Sequence, residues 1–361
     1  MYAYTGFAQV YDTFMDNVPY DKWTEYLHSL LKEYGVVDGL ILELGCGTGK
    51  VTRRLSKLGY DMIGIDYSDE MLEIAREKEY FVDEYEDEAI CCEYEDEAIC
   101  CEYEDEATCY GEYKDKEFDE VKYEATEDDS VECKHDQLEY ETSSEDTMEG
   151  PSSILYLNQD MREFELFGTV AAIVCICDGM NYLTTEEDLL KVFQLANNYL
   201  NKDGVFIFDL NTEFKYKYLL ADNVIAENRE DCSFIWENYY NEDQKTNEYN
   251  MTIFVKQSED EEEELEALVE LDEKEELEAL EESDELEVLE DEEEATFLRF
   301  RETHVQKAYS LDTIKCLIEK SGMEFVTAYD AFTKMAPRED SERIYVIAKE
   351  KYQNNKTYCY D

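Results

Sequence analysis

The chain has 361 residues, with 94 acidic against 32 basic side chains and a formal net charge of −62. Such an excess opposes binding to nucleic-acid phosphates and to anionic lipid. No apolar run reaches the roughly eighteen residues of a transmembrane helix, and Met1-Tyr2-Ala3-Tyr4 lacks the basic segment and long apolar stretch of a secretory signal.

The charge is concentrated. Residues 83–150 hold 29 acidic and 4 basic side chains, and residues 258–295 hold 23 and 1. The remainder is the size of one α/β enzyme. Six of the 12 cysteines lie in the first acidic segment. Cys175 and Cys177 sit in an apolar strand and read as small core residues. Nothing calls for a disulfide framework, so the expected compartment is the cytoplasm.

In chain order, Phe7, Val10, Tyr11 and Phe14 recur at helical spacing, and Trp23, Tyr26, Leu27, Leu30 and Leu31 do so again after Pro19. Leu40 to Leu42 is a short buried strand. Val51 to Leu58 is a helix, Met62 to Ile65 a second strand ending in Asp66, and Ser68 caps a helix reaching about Lys78. Then Glu84–Cys92 repeats verbatim at 93–101 and with changes at 102–110. Its charge and low complexity mark an insertion that cannot bury a core of its own.

Order resumes with a third strand at Ile154 to Leu157, a fourth at Val170 to Ile176, a helix capped by Thr185 and reaching Leu200, and a fifth strand at Gly204 to Asp209. This alternation predicts a doubly wound parallel α/β sheet with sites at the carboxyl ends of its strands. From about residue 231 the rhythm changes. Cys232 to Tyr240, Tyr249 to Val255 and Phe297 to Lys307 predict consecutive antiparallel strands, the last two separated by the second acidic segment. A helix at 311–321 and strands at Glu324 to Tyr329 and Arg343 to Ala348 close the sheet.

The predicted division is therefore 1–82 and 151–230 for the two halves of the core, interrupted by the 83–150 insertion. A covering antiparallel subdomain follows at 231–310, interrupted by 258–295. Residues 311–350 hold the final helix and strands, and 351–361 a tail.

The most specific signal is Leu42-Glu43-Leu44-Gly45-Cys46-Gly47-Thr48-Gly49-Lys50, a strand-to-helix turn rich in glycine. Glycine there permits positive φ and close approach of a ligand to the backbone. Asp66 follows the first glycine by about twenty positions, where a carboxylate grips a ribose diol in nucleotide-type folds. The spacing is G-x-G-x-G, not the G-x-G-x-x-G that cradles a pyrophosphate. It resembles motif I of the class I S-adenosylmethionine-dependent methyltransferases.

Further matches are Tyr11-Asp12, Ile65-Asp66-Tyr67-Ser68, Gln159-Asp160-Met161-Arg162, Asp178-Gly179-Met180-Asn181-Tyr182-Leu183, Phe208-Asp209-Leu210-Asn211 and Glu302-Thr303-His304. With the acidic segments set aside, the chain resembles bacterial small-molecule methyltransferases that include amino-sugar N-dimethyltransferases and uncharacterised relatives, with a Rossmann-like sheet and an added antiparallel subdomain.

That resemblance implies S-adenosylmethionine as cofactor. It assigns Glu43, Gly45, Cys46, Gly47 and Gly49 to the loop, with Gly45 and Gly47 against the methionine part. Asp66 would take the ribose hydroxyls, with Tyr67 beside it. Asp160 would accept from the adenine amino group, Met161 would pack on the base, and Cys177 and Asp178 would face the sulfonium. Asp160 also reads as a strand-end cap and Asp178 as a turn former. Tyr11 either folds over the cofactor or belongs to the core.

Tyr182, Asp178 and His304 are the candidates for taking a proton from the methyl acceptor; His304 reads equally as a structural histidine. His28 and His135 read as incidental. No C-x-x-C, H-E-x-x-H or D-x-D-x-D-G pattern occurs, so no metal is expected. Three functions compete: methyl transfer to a nitrogen or oxygen of a small molecule, methylation of RNA such as tRNA, and a non-enzymatic acidic interaction protein on the same scaffold. The basic cluster Lys50, Arg53, Arg54 and Lys57 favours the second, and the acidic balance opposes it.

Overall fold

The elements, in a computed structural model that describes residues 7–80, 154–257 and 295–351, run in chain order as follows. α1 (Ala8–Phe14), α2 (Tyr20–Glu33), β1 (Leu40–Leu44), α3 (Lys50–Lys57), β2 (Asp61–Asp66) and α4 (Asp69–Tyr80) form the first part. Then come β3 (Leu155–Asn158), β4 (Val170–Cys175), a 3-10 turn (Gly179–Tyr182), α5 (Glu186–Tyr199), β5 (Leu200–Asn211) and a π-helical segment (Lys215–Leu220). β6 (Val224–Asn228), β7 (Cys232–Asn241), β8 (Thr246–Lys256), β9 (Phe297–Lys307), α6 (Leu311–Lys320), β10 (Glu324–Asp330) and β11 (Arg343–Lys349) complete it. The first acidic segment lies outside the described residues, as does all of the second except Ala295.

Seven strands form one sheet in the order β3-β2-β1-β4-β5-β11-β10. β3, β2, β1, β4 and β5 pair in parallel, and β11 runs antiparallel to both β5 and β10. The expected parallel sheet is thus a mixed one, with one reversed strand inserted beside β5. Alternation sorts each strand into two cores. Leu42, Leu44, Ile173, Phe206 and Phe208 meet α5 and α6 on one face. Ile41, Met62, Val174, Ile207 and Tyr345 meet α2 and α3 on the other.

The expected caps are present. Ser68 Oγ accepts from Met71 N at 3.2 Å, and Thr185 Oγ1 from Asp188 N at 3.1 Å. Each satisfies an N–H that the first helical turn leaves without an internal partner.

A second, antiparallel sheet has the order β6-β7-β8-β9. Its inner face carries Cys232, Phe234, Met251 and Ile253, and Phe7, just before α1, packs onto them with Val10 and Phe14 of α1. β6 escaped the sequence reading because Val224-Ile225-Ala226-Glu227-Asn228 is a partly exposed edge strand without a clean apolar alternation.

The junctions with both acidic segments are pinned. Glu79 Oε1 on α4 accepts from Ile154 N, just before β3, at 2.7 Å. Gln257 N, just after β8, donates to Thr296 O, just before β9, at 2.9 Å. The chain therefore leaves and re-enters the fold at adjacent points. Exchanging residues 83–150 and 258–295 for short Gly-Ser linkers should leave cooperative thermal unfolding intact. A broad, non-cooperative transition in calorimetry would make a segment structural and the domain division wrong.

Candidate active site

The carboxyl ends of β1, β2 and β4 converge at the switch point of the sheet, where order reverses on either side of β1. Open α/β sheets bind ligands there. After β1 the chain turns through Gly45, Gly47 and Gly49, with φ of 69°, 53° and 74°. Gly45 N and Cys46 N donate to Ile65 O at 2.8 and 3.0 Å. Gly47 N donates to Asp66 Oδ2 at 2.8 Å and Ser68 N to Asp66 Oδ1 at 2.9 Å. A carboxylate has about four lone-pair sites, so Asp66 retains acceptor capacity after organising both loops. Burial raises its pKa, against the backbone hydrogen bonds from Ser68 and Gly47.

Several predicted residues sit behind the loop. Glu43 is 3% exposed and accepts from Thr52 Oγ1 of α3 at 2.5 Å. Burial pushes its carboxyl up to about 8. The Cys46 thiol turns into a small cluster with Leu72, Ala75 and Tyr156, leaving only its backbone at the loop surface. A Cβ at Gly49 would lie 2.4 Å from Tyr156 Oη, so this glycine fixes the close approach of loop and sheet. Tyr67 is 58% exposed.

Met161 joins the loop to β4. A Cβ on Gly45 would meet its methyl carbon at 3.5 Å, and one on Gly179 at 3.9 Å. Asp160 Oδ1 accepts from Arg162 N and Nε at 2.8 and 2.9 Å, and Oδ2 from Nη2 at 2.5 Å. Burial opposes its ionisation, but the Arg162 hydrogen bonds and charge hold Asp160 below the usual carboxylate range.

Cys177 and Asp178 follow β4 with φ of 62° and 55°. Left-handed backbone at two consecutive non-glycine residues is strained. Asp178 N donates to Asp209 Oδ1 at 2.9 Å, and Arg343 Nη2 donates to Asp178 Oδ1 at 2.7 Å while Nη1 binds Asp209 Oδ2. Gln306 Nε2 donates to Asp178 Oδ2 at 2.6 Å. Both Asp178 oxygens are thus engaged in holding the turn. Beside it, a hydrogen bond joins the phenols of Tyr11 and Tyr20, and burial raises both. Tyr11 packs against Phe7 edge-on at 5.4 Å, and the Cys177 and Asp178 charges add to the effect of burial on its hydroxyl.

α1 is fastened to the glycine loop by Asp12. Thr48 Oγ1 donates to Asp12 Oδ1 at 2.8 Å, Lys50 Nζ lies 3.5 Å from the same oxygen, and Lys78 Nζ pairs with Oδ2. Two of the sequence's basic residues therefore serve the fold: Lys50 through Asp12, and Arg54 through Asp21 at 2.7 Å.

The second sheet faces this end with a polar row, Glu302, His304 and Gln306 of β9, all buried. Tyr182 Oη lies 3.2 Å from His304 Nδ1, and His304 Nε2 lies 3.2 Å from Glu302 Oε2. Buried Asn181 sets this alignment by donating to Asn211 O and Lys307 O at 3.1 and 2.9 Å, tying the 3-10 turn to β5 and β9. Tyr216 and Tyr249 hydroxyls donate to Gln306 Oε1 at 2.9 and 2.6 Å. His28 pairs with Tyr60 Oη at 3.0 Å, far from the site in the α2 layer; His135 lies outside the described residues.

Arg343, Gln306, Glu302, Tyr20 and Asp12 were not among the predicted site residues. Arg343 gives no local signal, because its partners stand 134 and 165 positions away. Asp12 and Glu302 lie inside stretches that resemble the family, Tyr11-Asp12 and Glu302-Thr303-His304, and that is their signal in the sequence.

The family described as "Methyltransferase domain" matches residues 41–99, which begins at β1 and contains the glycine loop and Asp66. YqeM of Bacillus subtilis, whose name assigns it provisionally to the methyltransferases, is 25% identical over 347 residues, 96% of each chain. This chain is a class I S-adenosylmethionine-dependent methyltransferase. The fold agrees with that of an S-adenosylmethionine-dependent methyltransferase from Clostridium acetobutylicum, with TM-score 0.60, 19% identity, and coverage of 97% of this chain and 99% of that one. It agrees also with CalS10, an amino pentose methyltransferase of Micromonospora echinaspora, with TM-score 0.53, 10% identity, and coverage of 97% and 98%.

The methyltransferase's loop fits its cofactor. A Cβ on Gly47 would meet nothing within 4 Å, so space opens in front of the turn, with the Asp66 carboxylate at its edge. No group of three or more potential metal ligands occurs among the described residues.

Two outcomes follow. Asp66→Ala should weaken S-adenosylmethionine binding by about 1–3 kcal/mol, measured by calorimetry; unchanged affinity would remove Asp66 from the site. Glu43 bears on pH. Its folded pKa of about 8 lies above the ordinary 4.5, so its contribution to stability is full below the unfolded value and fades as pH rises through the folded one. Between about pH 5 and pH 9 the wild-type Tm should therefore fall more steeply than that of Glu43→Gln; parallel curves would refute the buried, protonated carboxyl.

Proposed function

We propose that the enzyme methylates a nitrogen or oxygen of a small-molecule acceptor lying between the 3-10 turn and the inner face of β8 and β9. The observation that carries this reading is the buried polar row Glu302, His304 and Gln306 meeting Tyr182. Buried polar groups are costly unless partnered, and here they line a covering sheet whose other inward residues are largely apolar. The proposed site residues follow the geometry. Gly45 and Gly47 present backbone to the methionine part, Asp66 and Tyr67 border the ribose, and Asp160 and Met161 border the adenine. Tyr11 and Cys177 bound the methyl end. Glu43, Cys46 and Gly49 shape the loop from behind.

When bound, S-adenosylmethionine supplies a methyl group on a sulfonium whose sulfur keeps the bonding pair. The chain's task is alignment of the acceptor, exclusion of water and acceptance of a proton. Tyr182 and His304 take the proton in this reading, and Asp178, bound to Arg343 and Gln306, keeps the turn in place.

No described helix is long and apolar enough to cross a membrane, and Cys46, Cys175, Cys177, Cys232 and Cys316 are free thiols. These observations support the proposed cytoplasmic location. The RNA alternative has against it the net charge of −62 and the ion pairs that occupy Lys50 and Arg54.

Incubation with tritiated S-adenosylmethionine decides the acceptor class. Label should enter a fraction of a bacterial metabolite extract, at a rate little changed between low and physiological salt. Label entering purified tRNA alone, with a steep loss over the same salt range from counterion release, would overturn the proposal.

A further inference from the structure

Glu302 stands one hydrogen bond beyond the pair just described, and its two oxygens are divided between different elements. Oε2 lies 3.2 Å from His304 Nε2. Oε1 accepts from the backbone N–H of Phe7, immediately before α1, at 3.1 Å. The Glu302 side chain is 4% exposed and that of His304 2%. With Glu302 ionised its oxygens only accept hydrogen bonds, and Nε2 carries the proton. In the neutral ring Nδ1 then holds the lone pair, and the Tyr182 hydroxyl donates to it. The Phe7 amide stops the carboxylate from turning away, because rotation would leave a buried N–H without its acceptor.

We infer that Glu302 is the positioning residue of a proton relay, fixing His304 with Nδ1 as the acceptor for Tyr182 during methyl transfer. As a bond forms between the acceptor heteroatom and the methyl carbon, the carbon–sulfur bond breaks and sulfur keeps the electron pair. The acceptor's proton passes to the Tyr182 oxygen, and the Tyr182 hydroxyl proton passes to His304 Nδ1. His304 becomes an imidazolium facing the Glu302 carboxylate, which offsets the new charge in a water-poor site. The proton leaves to solvent after product release. The inference rests on the methyl-transfer reading.

The same contact ties the relay to the cofactor end. α1 is held at the glycine loop through Asp12 and at Glu302 through Phe7. α1 and the residue before it therefore touch both the loop and the relay.

Proton NMR of the full chain with S-adenosylhomocysteine reads the orientation without a methyl acceptor. The chain has 3 histidines, and His304→Gln identifies the resonance. Wild type should show a far-downfield imidazole N–H that Glu302→Gln shifts upfield or abolishes, since an amide offers one acceptor oxygen to two donors. Calorimetry with S-adenosylmethionine checks that the variant is folded, with affinity within about twofold of wild type. With the metabolite extract as acceptor, its transfer rate should fall at least about tenfold. An unshifted resonance, or an unchanged rate in a variant that binds cofactor, overturns the inference. If wild type labels no metabolite at all, the acceptor proposal fails, and the resonance still decides the orientation of His304.

Discussion

The Arg343 guanidinium, shared between Asp178 and Asp209, is the contact on which the site's geometry depends. Asp209 is fully buried, and burial raises its pKa against the opposing charge of Arg343. Without the cation, the buried Asp209 carboxylate would face half-buried Asp178 unneutralised; removing one partner of a buried pair costs about 3–5 kcal/mol. The strained pair Cys177 and Asp178 persists because the surrounding bonds over-determine it. Arg343 lies on β11, the one reversed strand of the large sheet, and its guanidinium stacks 5.1 Å over Trp23 of α2. One residue thus joins the last strand, the first helical layer and the turn that ends β4.

From that turn, bonds continue into the covering sheet. Asp178 accepts from Gln306, which accepts from Tyr216 and Tyr249. Gln306, Tyr216 and Tyr249 are buried and Asp178 half-buried, so the inner hydrogen bonds act in a low dielectric where an unpartnered polar atom is expensive. The covering sheet is therefore positioned by polar bonds at its inner row and by apolar packing of α1 at Phe234, Met251 and Ile253. Backbone N–H groups organise the glycine loop, and side chains carried by long strands organise the polar row of the covering sheet.

The difference in origin explains what could be read in advance. β1, the loop and Asp66 lie within a short stretch whose local sequence encodes strand, glycine turn and helix, so they were legible before any contact was known. Helix caps at Ser68 and Thr185 were legible for the same reason. The insertion of β11 beside β5 was not, because strand order depends on pairing between distant segments. Arg343 has the local sequence of an ordinary strand start, and nothing near Glu302 in sequence foretells Phe7 and His304 on its two oxygens. Asp160 is the expected adenine contact, and its neighbour Arg162 also holds it in a two-pronged pair; charge two positions away is visible in sequence, but its orientation is not.

The two pinned junctions have a consequence for how this chain can change over generations. Glu79 with Ile154, and Gln257 with Thr296, hold the departing and returning strands of chain side by side. Closing a loop between ends that the scaffold already holds adjacent adds an entropic cost that grows only with the logarithm of its length. By this argument each junction is a port where a longer or shorter segment changes the closure cost only slowly. The verbatim copy of Glu84–Cys92 at 93–101 has the form a duplication leaves. Selection at these ports acts on the charge and length of what is carried, independently of the catalytic frame.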